Sequence, residues 1–146
     1  MNTATVASKV PSVYLEILAT KREPILYDEA DWFVIFANRP CNEGHLLLIP
    51  KIEEREFYKL PPDILQRGFE ISTKLSLLLS EIYHPPRVAL FIKGFTNDNH
   101  VHMHITPAYQ SSDLDVNPSR HQLTQEEMFL LADKLAPFIE NRLTTH

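Results

Sequence analysis

His100, His102 and His104 alternate with Val101 and Met103 along the chain. In a β-strand each residue advances about 3.3 Å and neighbours face opposite ways, so the three imidazoles would share one face at intervals of roughly 6.6 Å. Imidazole has a pKa of about 6.5, so a histidine nitrogen can attack phosphorus at neutral pH without a separate base. Flanking histidines can donate to phosphate oxygens or move a proton. The spacing therefore favours nucleophilic catalysis at phosphorus.

Two other interpretations stay open from these residues alone. Neutral imidazole binds zinc, copper or nickel, but the rings would have to converge and a further ligand usually completes such a site. Asp98 and Asp113 are the nearest carboxylates, and neither has a diagnostic spacing. A solvent-facing strand with incidental histidines is the third interpretation, which is disfavoured because clustered charged rings repel one another.

The hydrophobic pattern predicts the elements that precede these histidines. A serine suited to capping predicts a short helix over residues 12–20. Aromatic and β-branched residues predict strands at 25–27 and 32–36, joined as a hairpin, and a heavily buried strand at 45–50. Apolar residues at helical spacing predict a long helix over 61–83.

A short apolar strand is predicted at residues 88–92, directly before the histidine segment. The connection between them is too short for a parallel crossover, which predicts antiparallel neighbours. A capping box at Thr124 predicts a C-terminal helix, which Pro137 should kink or end early. These elements predict an α+β domain, a curved antiparallel sheet of about five strands with helices packed on one face. The apolar residues between the histidines would face those helices, leaving the histidines on the opposite, accessible face.

Length and composition restrict the class of protein. The 146 residues suit one domain, and we expect a mobile arm at 1–11 before a single domain at 12–146. No apolar run approaches the roughly 18 residues of a membrane span, so no membrane association is expected. A net charge of −5 argues against a long nucleic acid as partner but permits a small phosphate ligand. The N-terminal residues lack the pattern of a secretory signal, and the single Cys41 cannot form an internal disulfide. Together these features predict a cytoplasmic protein.

The histidine segment resembles the signature of the histidine triad family, His-x-His-x-His with apolar residues between. Residues 38–51 resemble the family segment in which a proline, a Gly-His pair and a strand ending in Ile-Pro-Lys precede the long helix. Gly44 and His45 supply the Gly-His pair. A weaker likeness covers residues 14–28, where family members carry a short helix and a strand. The resemblance extends over residues 14–107.

The resemblance implies a nucleotidyl hydrolase or transferase that cleaves at the α-phosphate of nucleoside phosphoramidates, dinucleoside polyphosphates or similar conjugates, without a cofactor or a metal. His102 stands at the position of the family nucleophile and would form a nucleotidyl-histidine intermediate before water releases the mononucleotide. His100 and His104 would complete the cluster, with His45 as its fourth histidine. The resemblance also implies a homodimer.

A nucleotide site is implied in the same way. Asn38 occupies the place of the residue that hydrogen-bonds the ribose, while Tyr14, Ile17 and Phe36 lie where the base is sandwiched. Ile17 and Phe36 are equally well explained as core residues. For His45, a structural histidine is the less favoured alternative.

The loop before the triad departs from the family pattern. Many active members carry Gly-Gln-Ser/Thr there, whereas residues 94–99 are shorter and place Asn97 at the Ser/Thr position. We expect Thr96 and Asn97 to bind the phosphate, while the Asp98 carboxylate would repel it unless paired or turned away. Losing one transition-state donor costs on the order of a hundredfold in rate. A non-catalytic nucleotide-binding module is therefore the alternative to an enzyme, beside a metal-binding histidine cluster.

Overall fold

A five-stranded antiparallel sheet forms the centre of the computed structural model, which describes residues 12–93 and 99–145. The strands are β1 Tyr27–Asp28, β2 Trp32–Phe36, β3 Leu46–Pro50, β4 Arg87–Phe91 and β5 Met103–Ala108. Their spatial order is β1-β2-β3-β5-β4, and each neighbouring pair is antiparallel. The predicted α+β class and the predicted pairing of β4 with β5 are confirmed.

Among the residues that the structure describes, three α-helices accompany the sheet, α1 Val13–Thr20, α2 Pro62–Tyr83 and α3 Gln125–Thr144, with 3-10 turns at Phe57–Lys59 and Ser111–Leu114. The Ser12 hydroxyl accepts from the backbone N–H groups of the first turn of α1. Thr124 and Glu127 form the predicted capping box of α3. Within the described ranges, no helix combines the length and the apolar character needed to cross a membrane.

The α3 helix does not end early at Pro137, so that alternative of the prediction is wrong, while the predicted kink stays a prediction. It continues to Thr144, with Pro137 inside it. Proline removes one N–H and leaves one carbonyl of the preceding turn without its helical donor. Pro137 is exposed, so water can satisfy that carbonyl, while the buried Leu135, Ile139 and Leu143 hold the helix against the core.

The two long helices pack against one face of the sheet. Trp32 on β2 meets Gly68 on α2, where an added Cβ would lie 2.3 Å from the indole ring. The indole N–H donates to the carbonyl of Ile64 at 2.9 Å, which fixes the height of the helix above the sheet. The buried side chains that fill this layer include Val34, Phe36, Leu46, Leu48, Met103, Ile105, Ile71, Leu75, Leu79, Leu135 and Ile139.

The short helix α1 covers part of the opposite face. Ile17 packs there against a second cluster of buried apolar residues, Phe33, Ile35, Ala37, Leu47 and Ile49. Both faces of β2 are therefore covered, and all five of its residues are buried. The two long helices lie on one face as predicted, whereas α1 partly covers the other face, which carries the histidines.

The triad straddles the beginning of β5, which starts only at Met103. Val101 bonds through its N–H to the carbonyl of Glu54 at 2.6 Å, outside the sheet ladder. The alternation of faces nevertheless holds, because Val101, Met103 and Ile105 join the core beneath α2 and α3. His104 pairs in register with Leu47 of the opposite cluster.

Candidate active site

Four histidines meet on the α1 side of the sheet. His45, His100, His102 and His104 have 3%, 2%, 5% and 8% of their surface exposed. The face that we predicted to be accessible is therefore covered. Burial at this level restricts each ring to contacts that fix its orientation, and those contacts identify the role of each nitrogen.

His100 is held at both of its ring nitrogens. Its Nε2 lies 2.6 Å from the carbonyl oxygen of Pro50, at the end of β3. Its Nδ1 lies 2.6 Å from the hydroxyl of Ser12, which also caps α1. Since a carbonyl only accepts, Nε2 carries a proton. One ring thus links the end of a strand to the start of the helix that covers the site.

His102 is oriented by main chain. Its Nδ1 lies 3.0 Å from the carbonyl oxygen of His100 and must donate to it. In the neutral ring Nε2 therefore keeps its lone pair, an assignment that follows from the hydrogen bonds. The Tyr14 hydroxyl is 3.3 Å from this Nε2, with the two ring centroids 4.7 Å apart. His102 thus presents a nucleophilic nitrogen beside α1.

His45 and His104 form a relay of hydrogen bonds. The backbone N–H of Cys41 donates to Nδ1 of His45 at 2.9 Å. The proton of His45 is thereby placed on Nε2, which lies 2.9 Å from Nδ1 of His104. Neutral His104 then carries its proton on Nε2, a buried atom with no hydrogen-bond partner among residues 12–93 and 99–145. Its ring centroid is 4.9 Å from that of His102, so the ring that carries the unsatisfied donor is a neighbour of the nucleophilic ring.

The backbone conformation and the surroundings of Gly44 explain why a glycine precedes His45. The φ of +90° at Gly44 lies in the left-handed region that glycine adopts without strain. A Cβ at this position would lie 2.7 Å from the ring of Tyr83. The turn at Gly44 therefore lets the chain enter β3 with His45 directed at the triad.

The relay histidines are held neutral. Burial, followed by the positive charges of Lys93 and Arg120, lowers the pKa of His45 to about 3. Burial, then His102 and His45, lowers the pKa of His104 to about 2. Both rings therefore act as neutral hydrogen-bond groups near pH 7, in agreement with the tautomers that the geometry assigns.

A cavity of about 280 Å³ opens beside His45, His102 and His104. Tyr14 and Asn38 line it, and Asn38 is exposed at its rim. These residues come together as the resemblance implied.

Two other residues of the implied nucleotide site lie elsewhere. Phe36 is 2% exposed and packs on the opposite face beneath α2 and α3. We therefore correct its assignment, because the sheet separates its ring from the triad. Ile17 lies on the sheet-facing side of α1, where it is buried against Phe33 and Ile35, and it does not line the cavity.

Thr96 and Asn97, the expected phosphate ligands, lie outside the described residues, as does Asp98. Their assignment stays a prediction.

The structure adds residues that sequence reasoning missed. Arg39, Lys93 and Arg120 line the cavity together with Val116 and Pro118. They come from three separate stretches of chain, and none stands at a spacing that would have indicated a site.

The geometry of the site gives less support to metal binding than to nucleophilic catalysis. In the part of the chain that the structure describes, no group of three His, Cys, Asp or Glu side chains is arranged to hold a metal ion. Carbonyls of the main chain occupy one nitrogen each of His100 and His102. The Asp113 carboxylate accepts from Asn42 at 3.0 Å and from the N–H of Tyr109 at 2.8 Å.

Solved structures share this fold. A hypothetical histidine triad nucleotide-binding protein from Sulfolobus tokodaii strain 7 is 20% identical, with a TM-score of 0.70 over 88% of this chain and 91% of that chain. A Zn-bound histidine triad family protein from Mycobacterium smegmatis is 21% identical, with a TM-score of 0.66 over 89% and 96%. A Hit-like protein from Bartonella henselae, described as involved in cell-cycle regulation and solved with an unknown ligand, is 18% identical, with a TM-score of 0.68 over 85% and 93%.

The family assignment comes from the sequence match. The model of the HIT domain matches residues 19–111, which include His45 and the whole triad. These residues make up more than half of the 146-residue chain, so the protein belongs to the HIT domain family, whose name abbreviates histidine triad.

Proposed function

We propose that this protein is a nucleotidyl hydrolase or transferase that cleaves at the α-phosphate of a nucleotide conjugate through a covalent intermediate on His102. The carrying observation is the hydrogen bond from His102 Nδ1 to the His100 carbonyl, which leaves the lone pair on Nε2. The name of the Sulfolobus tokodaii relative, a nucleotide-binding protein, supports the ligand class.

The first step forms a bond between His102 Nε2 and phosphorus while the bond from phosphorus to the leaving group breaks, and its electron pair departs with that group. The ring gains positive charge, because Nδ1 keeps its proton. The carbonyl of His100, 3.0 Å away, accepts from that N–H and stabilises the cation. Water then attacks phosphorus, the P–N bond breaks, one proton of the water is released and the mononucleotide leaves.

His104 has a defined part in this scheme. Its Nε2–H is buried and without a partner among the described residues. A nonbridging phosphate oxygen that accepts from it gains a hydrogen bond with little competition from water. A single preorganised donor of this kind contributes on the order of a hundredfold to the rate when its bond strengthens in the transition state.

The hydrogen bond between Tyr14 and His102 must break before His102 attacks phosphorus. The Tyr14 hydroxyl donates to the His102 nitrogen that would bond phosphorus, 3.3 Å away. Phosphorus takes the place of that hydrogen bond, and the hydroxyl becomes available to a phosphate oxygen. Before a substrate binds, the hydrogen bond from Tyr14 keeps the lone pair of His102 Nε2 oriented.

The test is turnover of adenosine phosphoramidates and dinucleoside polyphosphates, with mass spectrometry of the acid-sensitive intermediate. We expect wild type to gain the mass of a nucleotidyl group at His102, and His102→Ala to lose both adduct and turnover. His121→Asn is the control, because His121 is exposed and contacts Glu127. Equal turnover by wild type and His102→Ala would reject the nucleophile. Binding of a mononucleotide by wild type with no turnover would favour the non-catalytic module.

We further propose a homodimer. Among the described residues, no strand pairs with the outer side of the edge strand β4, and Leu90 and the nearby Ile92 expose 43% and 40% of their surface. Such an edge is a template for pairing with a second copy. Light scattering coupled to size exclusion should give twice the mass of 16.9 kDa, and Leu90→Lys should give the monomer. A monomeric wild type would reject the proposal.

A further inference from the structure

Three cations line the cavity that contains the nucleophile. Arg39 follows β2, Lys93 follows β4 and Arg120 lies between the second 3-10 turn and α3. None of the described lining residues is Asp or Glu. This local charge is opposite in sign to the net charge of −5 on the whole chain.

Among the described residues, most of the other Lys and Arg side chains have a carboxylate partner. Arg67 pairs with Glu29 at 2.7 Å and Lys134 with Glu43 at 2.8 Å, and Arg22, Lys51, Arg55 and Arg142 are also paired. Across ranges 12–93 and 99–145, the three cavity cations form no ion pair with a carboxylate. Positive charge at a partly enclosed site without a counterion is costly, and a bound anion offsets that cost.

The Arg120 guanidinium is held in place by neutral groups. It donates to the carbonyl of Asp113 at 2.7 Å and approaches Sγ of Cys41 at 3.2 Å. Arg39 donates to the carbonyls of Pro118 and Arg120 at 3.2 and 3.0 Å, which holds the segment over the cavity. Nε of Arg120 has no acceptor among the described residues. The positive charge of Arg120 is therefore held in a fixed position, and no carboxylate among the described residues neutralises it.

Lys93 belongs to a stack that leads to the triad. Its Nζ lies 5.2 Å from the centroid of Phe91, and that ring stacks on His104 with centroids 4.8 Å apart and planes 8° apart. Lys93 and Arg120 both contribute to the lowered pKa of His45. The cations thus lie near His45 and His104, whereas Tyr14 contacts the other two histidines of the cluster, His100 and His102.

We infer that Lys93 and Arg120, with Arg39 holding the segment of Arg120, form a second anion site that binds a phosphate on the leaving group. This inference rests on the proposed function and narrows its substrate class. Conjugates whose leaving group carries a phosphate, such as dinucleoside polyphosphates, would be preferred to phosphoramidates of uncharged amines. A leaving group with about two negative charges matches two cations, whereas a neutral amine gains nothing from them.

The test uses two adenosine phosphoramidates with the same P–N bond, one made with ethanolamine and one with O-phosphoethanolamine. Only the second carries a phosphate on its leaving group. We expect wild type to favour it in kcat/KM by about tenfold or more at low salt, and Lys93→Gln and Arg120→Gln each to reduce that ratio severalfold. Lys59→Gln, which removes an exposed cation outside the cavity, should leave the ratio unchanged.

The possible failures are distinguishable. A ratio that stays the same in Lys93→Gln and Arg120→Gln overturns the second anion site, even when both rates fall together, because the cations then serve the α-phosphate. Lys93→Gln breaks no hydrogen bond of the described residues, so it decides the outcome should Arg120→Gln not fold. A ratio that falls equally in Lys59→Gln also overturns the site, since the effect would then belong to net charge.

Absence of turnover of both conjugates contradicts the proposed function, and binding then tests the anion site. Inorganic pyrophosphate is titrated calorimetrically into wild type, Lys93→Gln and Lys59→Gln. We expect severalfold weaker binding in Lys93→Gln alone. Equal affinities in all three proteins, or no binding to wild type at millimolar pyrophosphate, overturn the inference.

Discussion

His45 Nε2 lies 2.9 Å from Nδ1 of His104, and the N–H of Cys41 occupies the other nitrogen of His45. A backbone amide thereby sets the proton positions of two buried rings in succession. The last proton of the series is on His104 Nε2, beside the nucleophile. His45 therefore acts through His104, as a positioning residue.

His45→Ala should lower kcat more than it changes KM, because it removes the donor that fixes the tautomer of His104. We expect a loss of roughly tenfold to a hundredfold. Steady-state kinetics on a phosphoramidate substrate measures the changes in kcat and KM separately. His45→Gln, whose amide can donate to His104 Nδ1, should restore part of the rate. A variant that loses only stability, with kcat unchanged, would contradict the positioning role.

Stability should fall as the pH drops below 6.5. The pKa values of His45 and His104, about 3 and about 2, lie below their ordinary value of 6.5. Between these limits the unfolded chain takes up protons that the folded chain does not, so acid favours unfolding by up to about 1.4 kcal/mol per pH unit for each histidine.

Urea unfolding at pH 7, 6 and 5 measures this slope. The pKa values of Glu29 and Glu43 are lowered, so these carboxylates stay ionised over that window. His104→Gln should show the shallower dependence expected when one of the two histidines is absent. An identical slope in wild type and variant would contradict the assignment.

Ser12→Ala should destabilise the protein by about 1–3 kcal/mol. The Ser12 hydroxyl caps α1, and it also lies 2.6 Å from His100 Nδ1. Loss of a cap costs about 1 kcal/mol, and a buried imidazole nitrogen without its partner adds to that cost. Urea unfolding at pH 7 checks the value. Ser80→Ala on the exposed side of α2 is the matched control, and an equal effect of both substitutions would refute the link to His100.

Gly68→Ala should destabilise the fold although alanine is the better helix former. An added Cβ would lie 2.3 Å from the Trp32 ring, which is fully buried. Overpacking of this kind costs about 1–3 kcal/mol, more than the gain in helix propensity of about 1 kcal/mol. Thermal unfolding should show a lower Tm, and a higher Tm would mean that α2 can move away from the sheet.

Several parts of the fold were predictable because local rules determine them. Ser12 and Thr124 cap the helices that they were predicted to cap, and β2 has its predicted limits at Trp32 and Phe36. The alternation of the triad placed Val101 and Met103 on the core side. In each case neighbouring residues carry the information, as hydrogen-bonding type or as periodicity.

Other features required the tertiary structure. All five residues of β2 are buried, so alternation could not show that Phe36 faces the long helices. Pro137 stays within α3 because Leu135 and Ile139 pack on either side of it.

The sequence by itself determined which side chains carry the chemistry, because histidines at alternate positions share a face in any extended chain. Only the tertiary structure decided the proton positions and the charge around them. The relay joins His45 to His104, 59 residues later, and the cavity brings Lys93 to Arg120. No local periodicity encodes such contacts, since they arise where strands and loops that are distant in sequence meet on one face of the sheet.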